Sequence, residues 1–407
     1  MSASLRINIP HKLHIYAAFT LAIFLLILAD SSFVFNFSLG FGNFLNRNKL
    51  YLDQFKIQQE QLAAAPDIHK GTSPPPAAPP PPHVVHAKKV RNKNNIKPEV
   101  LALFNSTDLS RRFDSRVEEF FGSNQCRVQF FMTWFAPVES FGEREFFGME
   151  SLFHTNPRSC LVMVSKTMDS RKGYEKLEPL ITRGYRIRPI TPDLWDLLKN
   201  TSGETWLKDI KNGTRDPGAI PLPQNLSNLI RLAVVYRYGG VYLDTDFIVL
   251  KDFSGLRNSI GAQSVDANGN WSRLNNALLA FDKKHPLVYR FIEEFATTFN
   301  GNKWGHNGPY LVSRVVNSST LGGEIRDFNF TVMGTSAFYP VDWIRIRTFF
   351  ARPNGTDGEK WVESTVNQLH QSTYAMHLWN SQSKKFLIEE GSVIRRLISQ
   401  HCVICKL

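Results

Sequence analysis

Leu226 to Asp252, LSNLIRLAVVYRYGGVYLDTDFIVLKD, is the stretch that most narrows what this chain can become. Leu226, Leu229, Ile230, Ala233 and Val234 recur at helical spacing and give one apolar face. Ser227 is placed to cap that helix, and Gly239-Gly240 ends it where the backbone needs a left-handed residue. Val241-Tyr242-Leu243 then reads as a buried strand, and Phe247 to Leu250 resumes the extended pattern. Asp244 and Asp246 lie between these two apolar runs. Residues two apart on an extended chain point to the same side, so both carboxylates are expected to face one site. A bare Asp-x-Asp commonly caps a turn or stands in solvent. Two carboxylates forced together repel and raise their own proton affinity unless a cation separates them. A hard divalent ion with oxygen ligands, left open to a phosphate, resolves that conflict.

The same alternation of patterns runs upstream. Val128 to Thr133, Cys160 to Ser165 and Tyr185 to Ile190 read as strands, with helices expected over 143–153 and 174–183. Strand alternating with helix argues for an α/β fold with a mostly parallel sheet flanked by helices. In such sheets ligands gather at the carboxyl ends of the strands, where Trp134, Ser165 and Asp244 to Asp246 all fall. Downstream, 286–299 reads as an amphipathic helix. Trp304 to Tyr310 combines flexible backbone with polar and aromatic groups as a sugar-binding loop does, and Tyr374 to Asn380 reads as a short strand carrying His377.

Before the body, Leu13 to Ala29 is nearly unbroken apolar sequence that Phe33 to Phe35 can extend to a membrane span. Arg6, His11 and Lys12 precede it, which places the short N-terminal side in the cytosol. The expected organisation is a cytosolic tail over 1–12, a transmembrane signal anchor over 13–35, a stem over 36–120 and a lumenal body over 121–407. Seven prolines in the nine residues from Pro74 to Pro82 give the stem an extended polyproline character. A high density of glycosylation sequons agrees with a lumenal body; among them are those at Asn105, Asn200, Asn212, Asn225, Asn270, Asn317, Asn329 and Asn354. Of the four cysteines, Cys126 and Cys160 each precede a strand and are expected to pair. Cys402-x-x-Cys405 lacks the second pair that a zinc site needs, so a terminal disulfide or two idle thiols is expected. The net charge of +12 is partly local to the cluster from Lys88 to Lys97, and nothing resembles a nucleic-acid module.

The helix–Gly-Gly–strand–Asp-Thr-Asp block resembles the DXD signature of glycosyltransferases that use nucleotide sugars. More closely, the chain resembles the α-1,4-glycosyltransferases (glycosyltransferase family 32) of the lactosylceramide 4-α-galactosyltransferases and their plant relatives. FFMTW, ESLF, CLVMVS, the DTD region, LNNALLAF, NGPYLVSRVV and MHLWN occur in that family's order between about residues 125 and 380. The resemblance implies a GT-A fold, a Rossmann-like nucleotide half joined to an acceptor half, and sugar transfer with retention. It also implies Mn2+ or Mg2+ as cofactor, a UDP-sugar donor, a glycan or glycolipid acceptor, and a single-pass type II protein of the Golgi membrane. Carried over by position, Asp246 matches the direct metal ligand and Asp244 the carboxylate that meets the ribose and the metal. His377 matches the late-chain metal or diphosphate ligand, and Arg231 the helix arginine that reaches toward the donor sugar. Trp134 and Thr133 fall where the related fold contacts the base, while Asn275, Asn276 and Asn307 are candidate contacts near the reacting sugar. The family commonly has Ser-Asp where this chain has Ser227-Asn228, so the amide of Asn228 replaces a charged sugar contact.

Three rivals use the same residues differently. A phosphatase of the haloacid dehalogenase type places its D-x-D on a first strand, whereas this motif lies mid-chain. A glycosidase needs two carboxylates flanking a bond, about 5 Å or more apart. A catalytically silent lumenal sugar- or nucleotide-binding protein on the same fold is the third, made credible by Asn228.

Overall fold

In the computed structural model the described residues are 104–322 and 328–405. The expected tail, anchor and most of the stem, up to residue 103, lie outside them. Among the described residues no helix is long and apolar enough to cross a membrane.

Three short apolar strands start the body: β1 (Gln129–Thr133), β2 (Cys160–Val164) and β3 (Arg186–Ile190). They pair in parallel without a slip, Gln129 beside Cys160 and Cys160 beside Arg186. Alternate residues face opposite ways, so Phe130, Met132, Leu161 and Met163 fill one core while Phe131, Val162 and Val164 fill a second core behind the sheet. β4 (Gly240–Leu243) continues the parallel set beside β1. Beyond it the hand of the pairing changes. β7 (Trp271–Phe281) runs antiparallel to β4 and to β6 (Ser259–Val265), and β8 (Thr331–Met333) pairs parallel to β6. The seven strands stand in the order β3-β2-β1-β4-β7-β6-β8, mostly parallel as expected.

Helices cover both faces. On one side lie α2 (Glu143–Thr155), α3 (Arg171–Ile181), α8 (Gly355–Ser372) and α9 (Val393–His401). On the other lie α1 (Phe113–Asn124), α4 (Ser202–Asn212), α5 (Leu222–Tyr238), α6 (Pro286–Thr298) and α7 (Pro309–Gly322). α1 moves the start of the packed body upstream of the boundary expected near residue 121. Its Phe113, Val117, Phe120 and Phe121 form a helical stripe buried with Phe104 in the second core. α5 also begins earlier than expected. Pro221 and Pro223 sit at its first turn, where a missing N–H costs nothing, so Ser227 lies inside the helix and does not cap it. Its end is as expected: Gly239 and Gly240 have φ of 74° and 92°, and a Cβ on Gly240 would overlap the Gln129 carbonyl.

Two features tie the chain's end to its middle. β5 (Phe247–Val249) pairs antiparallel with β9 (Ala375–His377), setting Phe247 opposite His377. Disulfides join Cys126 to Cys160, across the starts of β1 and β2, and Cys402 to Cys405. The second closes a loop whose Val403, Ile404 and Cys405 amides donate to one oxygen of buried Glu150 on α2, at 3.2, 2.6 and 3.1 Å.

Candidate functional site

Asp244, Thr245 and Asp246 cross a turn between β4 and β5. The turn, and not the alternation of one extended strand, brings the two carboxylates together. Its backbone is held from two sides: the Asp244 amide donates to the Ala277 carbonyl at 2.9 Å, and the Asp246 carbonyl accepts from the Leu378 amide at 2.8 Å. Behind it stands α2. A Cβ on Gly148 would fall 2.9 Å from the carbonyls of both Thr245 and Phe247, so only glycine lets the helix lie this close.

Asp244 is gripped by the helix and strands that immediately flank it. Arg231 pairs with both of its oxygens, at 3.2 and 3.0 Å, and the Tyr242 hydroxyl donates to it at 2.6 Å. The other guanidinium donors reach the Ser227 carbonyl, the Ser227 hydroxyl and the Asn276 carbonyl. The Asn276 carbonyl sits where the β6–β7 register slips, Ile260 facing Leu279 and Gly261 facing Asn275. With four hydrogen bonds and an ion pair to the protein, Arg231 acts here as a positioning residue for Asp244. Its guanidinium also lies 4.8 Å from the Tyr242 ring centroid. Burial works against the Arg231 charge, but Asp244 outweighs it and the group holds its proton more firmly than usual. Burial raises the Asp244 carboxyl above the usual carboxylate range; Asp246 pushes the same way and Arg231 opposes. About a quarter of the Asp244 side chain still reaches solvent.

Asp246 is gripped by the last part of the chain. Its Oδ2 accepts from the Asn380 amide at 2.8 Å, and its Oδ1 lies 3.4 Å from His377 Nε2. The Trp379 amide donates to His377 Nδ1 at 3.1 Å, which turns Nε2 toward the carboxylates. The imidazole is walled by Trp379 and Phe247, with ring centroids 4.3 and 4.8 Å away. Asp244, Asp246 and His377 each offer a ligand atom, all within 4.8 Å of one another. Asn380 adds a fit of its own. Its Nδ2 donates to Glu145 at 3.3 Å, while its buried Oδ1 has no partner in the protein. The residue that carries this orphaned oxygen is the one whose backbone amide holds Asp246, and a buried oxygen without a donor is a group that a cation or its bound water would satisfy.

The other expected contacts divide. Thr133 is buried at the end of β1, its hydroxyl 2.9 Å from both the Ser227 and Tyr242 hydroxyls, so it extends the network around Asp244. Trp134 is half-buried, edge-on to Phe141 at 5.0 Å, with Nε1 donating to the Pro137 carbonyl. Asn276 donates to Asn228 at 3.0 Å, and a Cβ on Gly308 would meet both amide oxygens, so the 300–308 loop closes directly onto this pair. Asn307 does not join them. Its side chain is fully used by Asn300 and Asn225, so it braces the loop in place of the expected sugar contact. That also removes Asn225 as a glycan acceptor, since it is buried, while the other seven sequon asparagines named above are exposed. Asn275 is tied to Gln263 and to the Ala277 amide. Tyr242, Ser227 and Asn380 are site residues that the sequence reading passed over. Tyr242 had a usable signal, an aromatic hydroxyl two positions before Asp244, at the end of the strand that leads into the acidic turn.

Residues 280–406 match the family model described as "Alpha 1,4-glycosyltransferase conserved region", and residues 142–266 match "Glycosyltransferase sugar-binding region containing DXD motif". The lactosylceramide 4-alpha-galactosyltransferase of Mus musculus is 32% identical over 222 residues, 53% of this chain and 56% of that one. The protein of the same name from Pongo pygmaeus is 32% identical over 216 residues, 52% of this chain and 91% of that one. The alpha-1,4-N-acetylglucosaminyltransferase of Homo sapiens is 25% identical over 220 residues, covering 52% and 58%. The chain spans about half the length of the first curated relatives it matches.

Proposed function

The chain belongs to the α-1,4-glycosyltransferase family, and on that premise we propose that it is a metal-dependent, retaining glycosyltransferase. It moves a hexose, galactose first among the candidates, from a UDP-sugar to a hydroxyl of a glycan or glycolipid. The new linkage is α, and α-1,4 by kinship. The observation that carries this reading is the meeting of Asp244, Asp246 and His377 at the carboxyl edge of the parallel strands. The relatives' names divide over the sugar, galactosyl in one and N-acetylglucosaminyl in another, so the donor screen must include both.

Asp244, Asp246 and His377 would hold the ion, and this oxygen-rich set with one imidazole suits Mn2+ ahead of Mg2+. A bound ion supplies charge neutralisation for the departing diphosphate. The chain's own residues prepare that corner. Arg231 and Tyr242 pull Asp244 back toward its charged form and aim it, and the Asn380 amide fixes Asp246. Trp134 and Thr133, at the end of β1, face the base, and the Asn228–Asn276 pair faces the sugar. Preorganised electrostatics of this kind contribute about 10²-fold or more in rate. The exposed sequons support a lumenal body, and the expected anchor makes it a type II Golgi membrane protein.

Asn228 favours a second reading, a silent sugar- or nucleotide-binding protein, because a neutral amide already bonded to Asn276 stands where the family has a charge. The test is the full chain in detergent with UDP- and GDP-sugars and Mn2+, measuring released nucleotide diphosphate and glycosylated product. Metal-dependent turnover of a UDP-hexose supports the transferase. Nucleotide binding without turnover selects the silent protein, and Mn2+ binding that survives Asp246→Ala removes the metal assignment.

A further inference from the structure

Isolated exposed apolar side chains are ordinary on soluble surfaces; neighbouring ones ringed by unpaired cations are not. Ile344 and Leu387 are the two most exposed large apolar side chains among the described residues, at 73% and 81%, and none of the others exceeds 48%. They stand on two loops joined through the short helix Ile346–Phe350: Phe350 packs against Phe386, and the Arg347 guanidinium lies 5.7 Å from the Phe386 ring. Exposed Trp361 packs on Phe349 of the same helix. Arg347, Lys384 and Lys385 have no carboxylate partner among the described residues, whereas the acids nearby are engaged. Asp342 pairs with Arg345, Glu389 accepts from the Arg352 amide and Glu390 pairs with Arg395. Both loops also abut the metal corner. Trp343, next to Ile344, has its ring 6.1 Å from that of Trp379, and the turn leading to Leu387 begins at Asn380, whose amide holds Asp246.

We propose that the loops carrying Ile344 and Leu387 dip into the interfacial layer of a phospholipid bilayer. The apolar tips enter the boundary between headgroups and acyl chains, and Arg347, Lys384 and Lys385 meet the lipid phosphates. The metal corner then faces hydroxyls presented at the lipid surface. This goes beyond the transferase reading and does not depend on turnover.

All four cysteines of the chain are in disulfides, so a single added cysteine is labelled selectively. The full chain bearing Ile344→Cys, Leu387→Cys or, as control, Val265→Cys is labelled with an environment-sensitive fluorophore and placed in phosphatidylcholine–phosphatidylserine nanodiscs. Nitroxide lipids are expected to quench the labels at 344 and 387 but not at 265. Lys384→Glu with Lys385→Glu should return the quenching to the control level. Labels at 344 and 387 that are quenched no more than the one at 265 overturn the proposal. So does shielding of those labels by a soluble oligosaccharide without lipid, which would make the surface an acceptor seat.

Discussion

Asp244 and Asp246 are two residues apart, yet different segments of the chain hold them. Asp244 is locked from the sheet side by Arg231, Tyr242 and the Ala277 carbonyl, a dense network of hydrogen bonds and an ion pair. Asp246 depends on residues 130 positions downstream or more, and beside it Asn380 Oδ1 is left without a partner. A saturated network fixes geometry; an unsatisfied one is where a ligand completes the coordination. On the proposed reading, Asp244 is the ligand held rigid by protein bonds, and the Asp246 side is the one that metal binding completes.

Asp246→Ala tests the metal-completed side and should have the largest effect: a loss of about 10²-fold or more in turnover, with Mn2+ binding gone and far-ultraviolet circular dichroism kept. Arg231→Met attacks the rigid side. It leaves a mostly buried carboxylate without its partner, so unfolding in urea should show a loss of about 3 kcal/mol. Should Arg231→Met abolish turnover with stability unchanged, the arginine touches substrate and the division of labour fails. Asn380→Ala is expected to weaken Mn2+ binding about tenfold, the low end for an outer partner of a metal site, read by paramagnetic resonance of free Mn2+. Unchanged affinity would mean that the orphaned oxygen serves something other than the ion. Tyr242→Phe removes one hydrogen bond to Asp244 and should cost about 1 kcal/mol in the same urea experiment, with little change in metal affinity. A larger effect on metal than on stability would move Tyr242 to the metal-completed side.

The parallel strands, the glycine pair after α5 and the acidic turn were legible because each is written in local pattern: period-two apolar runs, positive-φ glycines, carboxylates between strands. His377 was legible only through family resemblance, since its approach to Asp246 comes from the β5–β9 pairing, a contact no local pattern encodes. Asn380 was missed for the same reason. Asn307 misled because an amide in a Gly-rich loop looks the same in sequence whether it meets a sugar or braces its own loop. α1 was hidden by its neighbourhood: the stripe from Phe113 to Phe121 is helical, but it follows a long segment without periodicity. Ser227 illustrates a subtler failure, because a good capping residue was present and two prolines upstream made it unnecessary.

Glu150 carries one consequence for anyone handling this protein. A chain cut after His401 would lose all three amides that surround its carboxylate and the disulfide that shapes them. The helix left with that stranded charge is the one whose Gly148 backs the acidic turn. Trimming a tail that looks dispensable would therefore reach the acidic turn from behind, as a loosened floor.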